Sequence, residues 1–103
     1  MRNKTNKLRR LESSRYSIMT NDLSVCYFCK NRASDIHEVY GGRNRKQSMR
    51  YGFCLPVCRR CHIEIERDVE WDFAVKVKMQ EFYEKENSRE EFMKIIGRNY
   101  IGL

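Results

Sequence analysis

Long apolar runs are missing from this chain. No segment of its 103 residues approaches the ~18 apolar residues that cross a bilayer. Met1 to Tyr16 is too polar to contain the apolar core of a secretory leader. No internal repeat or low-complexity tract breaks the pattern. Proline occurs once, at Pro56, and histidine twice, at His37 and His62. Acidic residues are under-represented: 14 against 21 Lys and Arg, for a net charge of +7 and a pI near 9.3. These shortages argue against a membrane protein and against an acidic or neutral surface. They predict a cytoplasmic protein with a polyanionic partner, nucleic acid before any other. The plainer alternative is a basic protein with no dedicated partner. One small domain fits the length. A chain this size buries roughly two-thirds of its unfolded surface, so its core is modest and a metal staple would help.

Cysteine is what the chain has in unusual amount. Five are present, an odd number that does not suit a secreted disulfide framework. Four fall in two knuckles, Cys26-Tyr-Phe-Cys29 and Cys58-Arg-Arg-Cys61. A CxxC turn presents two thiolates to one ion, and two such turns complete a closed tetrahedral zinc site. A thioredoxin-like redox motif would need a single CxxC beside a βαβ pattern, which is absent. Cys54 is left over and reads as a small apolar core residue.

Along the chain, residues 1–22 form a basic arm, whose first 20 residues carry Arg2, Lys4, Lys7, Arg9, Arg10 and Arg15 opposed only by Glu12. The arm is expected to be flexible, with a short helical stretch around Leu8–Leu11. It either tracks a phosphate backbone or merely solubilises the protein. Residues 23–103 form the braced domain. Ala33 to Tyr40 partly alternates and predicts a short strand, ended by the Gly41-Gly42 turn. Leu55-Pro56-Val57 predicts a second strand, with Pro56 where no ladder donor is needed. From Arg59 a helical pattern runs to Asn87 or Ser88. Its core stripe is Trp71, Val75, Met79 and Phe82, with Val69 and Phe73 alongside. Ser88-Arg-Glu-Glu91 is a capping box for a last helix, Arg89 to Ile96, and Gly97 is its C′ residue.

The histidines flank this framework. His62 and Glu66 are one helical turn apart and share a face. Such a pair is usually a surface ion pair. Its position directly after a knuckle makes it a candidate ligand set for magnesium, manganese, nickel or a catalytic zinc. His37-Glu38 ends the first strand, where neighbours point to opposite faces, so a bulge or turn is needed for both to reach one ion. Arg43, Arg45, Lys46 and Arg50 then give a cationic stretch with no acidic residue. It is either a solvated loop or a phosphate contact.

In this combination the chain resembles the HNH endonuclease superfamily, the ββα-metal or His-Me finger fold. It looks most like the small zinc-knuckled HNH-like proteins of bacteriophages and prophages. The resemblance rests on Cys26-x-x-Cys29, Asp35-Ile-His-Glu-Val-Tyr-Gly-Gly42, Arg43-Asn-Arg-Lys-Gln-Ser48, Tyr51-Gly52 and Cys58-x-x-Cys-His62. The tail Phe92-Met-Lys-Ile-Ile-Gly-Arg-Asn-Tyr100 extends it, so it spans about residue 24 to the end. It implies an α+β, zinc-braced HNH-like domain with C-terminal helices. It also implies hydrolysis of DNA phosphodiesters with a divalent ion. The helix ligand falls on His62, with Glu66 a partner. The strand pair falls on His37-Glu38, where many family members carry His-His or Asp-His. In one register His37 is the ligand and Glu38 the base. One residue over, His37 is the base and a nearby carboxylate binds the ion. Asn44 is the loop candidate for the family's middle Asn, although closer to His37 than usual. Cleavage of both strands would call for a homodimer. The alternative implied by the His-Glu pair is a non-catalytic zinc-finger protein that binds nucleic acid on a decayed HNH scaffold.

Overall fold

The structure is a computed structural model and describes residues 6–102. Arg2 and Lys4 of the basic arm lie outside the described residues. Among the described residues the architecture is a small α+β fold with five α-helices and a two-stranded sheet. The order is α1 (Asn6–Ser13), β1 (Asp35–Glu38), α2 (Arg45–Tyr51), β2 (Cys54–Val57), α3 (Arg59–Arg67), α4 (Val69–Tyr83) and α5 (Arg89–Ile96). A 3-10 turn, Gly42–Asn44, leads into α2. No helix among the described residues is long and apolar enough to cross a membrane.

The strands are antiparallel, and His37 lies opposite Leu55 and Glu38 opposite Cys54. Paired residues share a face, and successive residues alternate between faces. One face therefore carries Asp35, His37, Leu55 and Val57 toward α3 and α4. The other carries Glu38 and Cys54 toward α2 and the N-terminal segment. Side-chain contacts follow this division: Asp35 bonds His62 of α3, while Glu38 bonds Arg45 of α2. Cys54 is fully buried, as its alternation predicts, with Sγ 3.6 Å from the Ser48 carbonyl oxygen. Burial, and behind it the charge of Glu38, pushes its thiol up to about 12.

The segment expected to be a flexible arm is ordered from residue 6. Its helix, α1, is longer than the stretch predicted around Leu8–Leu11. Glu12 pairs with Arg45, and Arg15 Nη1 donates to Glu38 at 2.7 Å. The Tyr16 hydroxyl donates to the Arg50 carbonyl at 3.0 Å, and the Ile18 amide to the Gly52 carbonyl at 3.0 Å. Composition alone does not show these contacts, because Arg15 meets a carboxylate, and Glu12 a guanidinium, that are distant in sequence.

Gly52 shows how closely the segment is seated. Its φ is +73°, and a Cβ there would lie 2.5 Å from the Tyr16 ring. Both the left-handed backbone and the missing side chain are required. Gly52→Ala is expected to cost about 2 kcal/mol and lower the thermal midpoint by roughly 10 °C. A melting curve unchanged from the parent would show that Tyr16 yields freely.

The long helix expected from Arg59 is two helices. Asp68 adopts an extended conformation and caps α4, its Oδ1 accepting from the Trp71 amide at 3.0 Å. This is the ordinary N-cap preference of aspartate. Val75 and Met79 are buried as predicted, whereas Val69 is 81% exposed and Phe73 43%. The second stripe is therefore surface. The last helix forms as expected, with the Ser88–Glu91 capping box and Gly97 at φ +86°. Gln80, which no periodicity singles out, is fully buried. Its amide donates to Asn99 at 2.8 Å and accepts from the Tyr100 amide at 2.7 Å, which ties the C-terminal segment to α4.

Candidate metal centre and adjoining cleft

The first knuckle is a tight turn. Cys26 N donates to Asn31 O at 2.7 Å, Lys30 N donates to Cys26 O at 3.0 Å, and Lys30 itself has φ +69°. Tyr27 N donates to Pro56 O at 2.8 Å, which fastens the knuckle to β2. Cys58 is the N-cap of α3, so Cys61 and His62 belong to that helix's first turn.

Cys26, Cys29, Cys58 and Cys61 thereby converge, their sulfurs all within 4.8 Å of one another. Four thiolates around one tetrahedral ion stand about 3.8 Å apart. The 3.6 Å between the Cys29 and Cys58 sulfurs fits that spacing, and all four thiols are free. Burial opposes ionisation of Cys26, but backbone N–H groups around Cys29, Cys58 and Phe28 outweigh it and bring the thiol to about 6. Cys61 is pushed up to about 12 by burial and by its sulfur neighbours. A bound dication would reverse that preference by drawing thiolates to itself. Among the described residues this is the one group of ligand side chains so tightly gathered.

Beside it lies an open cleft of about 500 Å³ between β1, α3 and α4. His37, Glu38, His62 and Glu66 line it, together with Gly41 and Gly42. Side chains added at either glycine would meet nothing within 4 Å, so the double glycine keeps this wall low. The His37 and His62 rings stand edge to face with centroids 5.2 Å apart. Imidazoles bound to one ion at about 2.1 Å would have centroids about 5 Å apart. His37 is 7% exposed, and its Nε2 is buried with no hydrogen-bond partner. Burial, then the charge of His62, holds its pKa below the usual histidine value, so the ring is neutral at neutral pH.

The sequence reading did not single out Asp35, which orients His62. The His62 Nδ1 lies 2.9 Å from Asp35 Oδ2, and Arg59 clamps the same carboxylate at 2.8 and 3.1 Å. Hydrogen bonds from Arg59 first, then His62, lower Asp35 to about 2. An ionised carboxylate only accepts, so His62 Nδ1 is the donor of this bond and Nε2 is the ring nitrogen left for another partner. That nitrogen lies 3.9 Å from Glu66 Oε2. A carboxylate behind an imidazole is the usual outer support of a metal-binding histidine. Strand alternation was the available signal: Asp35 is two residues before His37, on the same face.

Other expected residues have different surroundings. Glu38 is committed to two arginines, Arg15 and Arg45, each at 2.7 Å. Asn44 does not line the cleft; its Nδ2 donates to the Ile96 carbonyl at 3.0 Å and pins the loop to α5. Ser48, fully buried, pins the loop's other side. Its hydroxyl accepts from the Tyr40 amide at 3.0 Å and donates to the Tyr40 carbonyl at 2.7 Å. Of the cationic stretch only Arg45 lines the cleft; Arg43, Lys46 and Arg50 are exposed outside it. Arg15 and Lys76 complete the cationic wall, with Lys76 paired to Asp72 at 2.8 Å.

No protein family, curated protein or solved structure matches this chain.

Proposed function

We propose that this chain is a zinc-braced, metal-dependent DNA endonuclease of the HNH type. One observation carries the reading: the chain's two histidines, one from the first strand and one from the helix after the second knuckle, meet across one cleft at 5.2 Å. The donor set fits a divalent ion, because Asp35 leaves His62 Nε2 free and Glu66 stands beside it. Zinc in the four-cysteine site serves as the brace. In the cleft, His62 and Glu66 would hold a divalent ion that neutralises charge at the phosphate and at the leaving oxygen. His37, neutral and buried, is suited to take a proton from the attacking water. Glu38 serves the site differently: it holds Arg15 and Arg45 at the cleft wall, where a phosphodiester can meet them.

A second reading is favoured by that same Glu38. It stands where many family members carry a histidine, and its arginines are already neutralised. A non-catalytic protein that binds nucleic acid on this scaffold would look the same. Supercoiled plasmid incubated with magnesium, manganese, nickel or zinc separates the two. Nicking is the expected result. Salt-sensitive DNA binding without nicking under any of these ions would favour the second reading.

A further inference from the structure

A separate hollow of about 200 Å³ lies between the first knuckle and α4, away from the histidine cleft. Tyr27 and Phe28 of the knuckle and Trp71 of α4 wall it, and Leu55 is among its apolar lining. Phe28 and Trp71 meet edge to face at 5.0 Å, and Tyr27 and Phe28 at 5.5 Å. These three aromatics are half-buried, so their remaining faces open to the hollow or the solvent. Apart from Lys78, the Tyr27 hydroxyl and the Trp71 indole N–H, the lining side chains are apolar.

The rim is cationic. Lys30 lies 5.1 Å from the centre of the Tyr27 ring. Lys78 lines the hollow and pairs with no carboxylate among the described residues. A second hollow of about 270 Å³ continues from it past Tyr27 and Lys78 to Lys85. Glu81 is the one acidic residue lining either.

We propose that this hollow binds an unstacked nucleobase of single-stranded DNA, with the adjoining phosphates tracked by Lys30, Lys78 and Lys85. A cavity of about 150 Å³ accepts one benzene ring, so this open one is sized for a single planar ring rather than a larger ligand. An apolar ring partner linked to negative charge matches an aromatic floor with a cationic rim. A duplex hides its base faces and cannot use it. The mainly apolar lining makes the contact tolerant of base identity, since every base has a π face to stack. The knuckle turn sets the aromatic wall, so the metal that braces the fold also shapes this surface.

The inference rests on the nucleic-acid part of the proposed function and not on cleavage. Trp71 is the chain's single tryptophan and reports from the hollow itself. The full chain, zinc-loaded and free of other divalent ions, is titrated with a single-stranded thymidylate 12-mer while its tryptophan emission is followed. The controls are an abasic strand of equal length, a blunt duplex and an acidic amphipathic peptide. Saturable quenching by the thymidylate strand alone is expected. Tyr27→Ala and Lys78→Glu, each checked for zinc content and native circular dichroism, are expected to weaken its midpoint by about tenfold. No quenching, equal quenching by the abasic strand or duplex, or unchanged midpoints in both variants would overturn the proposal. Quenching by the peptide alone would overturn it in favour of a protein partner. Plasmid nicking without quenching would refute only the hollow. Quenching without nicking would refute only the endonuclease.

Discussion

Cys58→Ser is expected to abolish the folded state. Structural zinc in small domains contributes about 10–16 kcal/mol of apparent binding energy, against about 5–15 kcal/mol for the stability of a whole domain. Cys58 has two roles. Its sulfur is one of the four within 4.8 Å of one another, and it caps α3, accepting from the Cys61 amide at 3.4 Å. Serine can still cap the helix, so the loss would report the metal. The parent should contain one zinc per chain, and the variant should show neither zinc nor a cooperative melt. Cys54→Ala is the control: it removes a buried thiol outside the cluster and is expected to cost about 1 kcal/mol with zinc retained. A Cys58→Ser protein with native circular dichroism and an unchanged midpoint would sink the structural-zinc assignment.

His62→Ala is expected to lower plasmid cleavage by about three orders of magnitude without unfolding the protein. The figure follows from losing several kcal/mol of charge stabilisation by a bound ion, at about 1.4 kcal/mol per tenfold. Asp35→Asn tests the support behind that ligand. An amide cannot hold the Nδ1 proton as the ionised carboxylate does, and the concentration of divalent ion giving half-maximal cleavage should rise about 10–100-fold. His37→Ala should lose cleavage as well, with folding preserved. Glu38→Gln discriminates between the two candidate bases. Held between Arg15 and Arg45, Glu38 is not free to accept a proton from water, so Glu38→Gln should keep cleavage within about tenfold of the parent while changing its salt dependence. Loss as deep as in His37→Ala would make Glu38 the base. Cleavage that survives both histidine substitutions would point to a contaminating nuclease.

The parts of the fold legible in sequence are those with local causes. Ser88 and Glu91 satisfy each other's backbone donors three residues apart, so the capping box was readable without tertiary context. The Gly41-Gly42 turn and the alternation of Cys54 toward the core belong to the same kind. The break at Asp68 was also locally encoded, but the helical pattern read from Arg59 onward ran across it and suggested one continuous helix. Val69 and Phe73 show the limit of periodicity. Their spacing is right for a helix face, yet Val69 stays 81% exposed and Phe73, which meets only the edge of Tyr100 among the rings, 43%.

By itself the sequence determined the ligand chemistry, because two CxxC turns present four thiolates whatever surrounds them. It also placed His37 at a strand end and His62 one residue beyond a knuckle. Only the tertiary structure decided which groups those side chains face. Asp35 and Arg59 meet His62 because strand pairing and the start of α3 bring residues 35, 59 and 62 together. Glu38 meets Arg15 because the N-terminal segment folds back over the sheet. An ion pair has no spacing signature in the chain, since its energy depends on distance in space and on burial. The four-cysteine cluster was therefore legible in the chain. The surroundings of the neighbouring carboxylates, on which the proposed division of labour between His37 and Glu38 depends, were not.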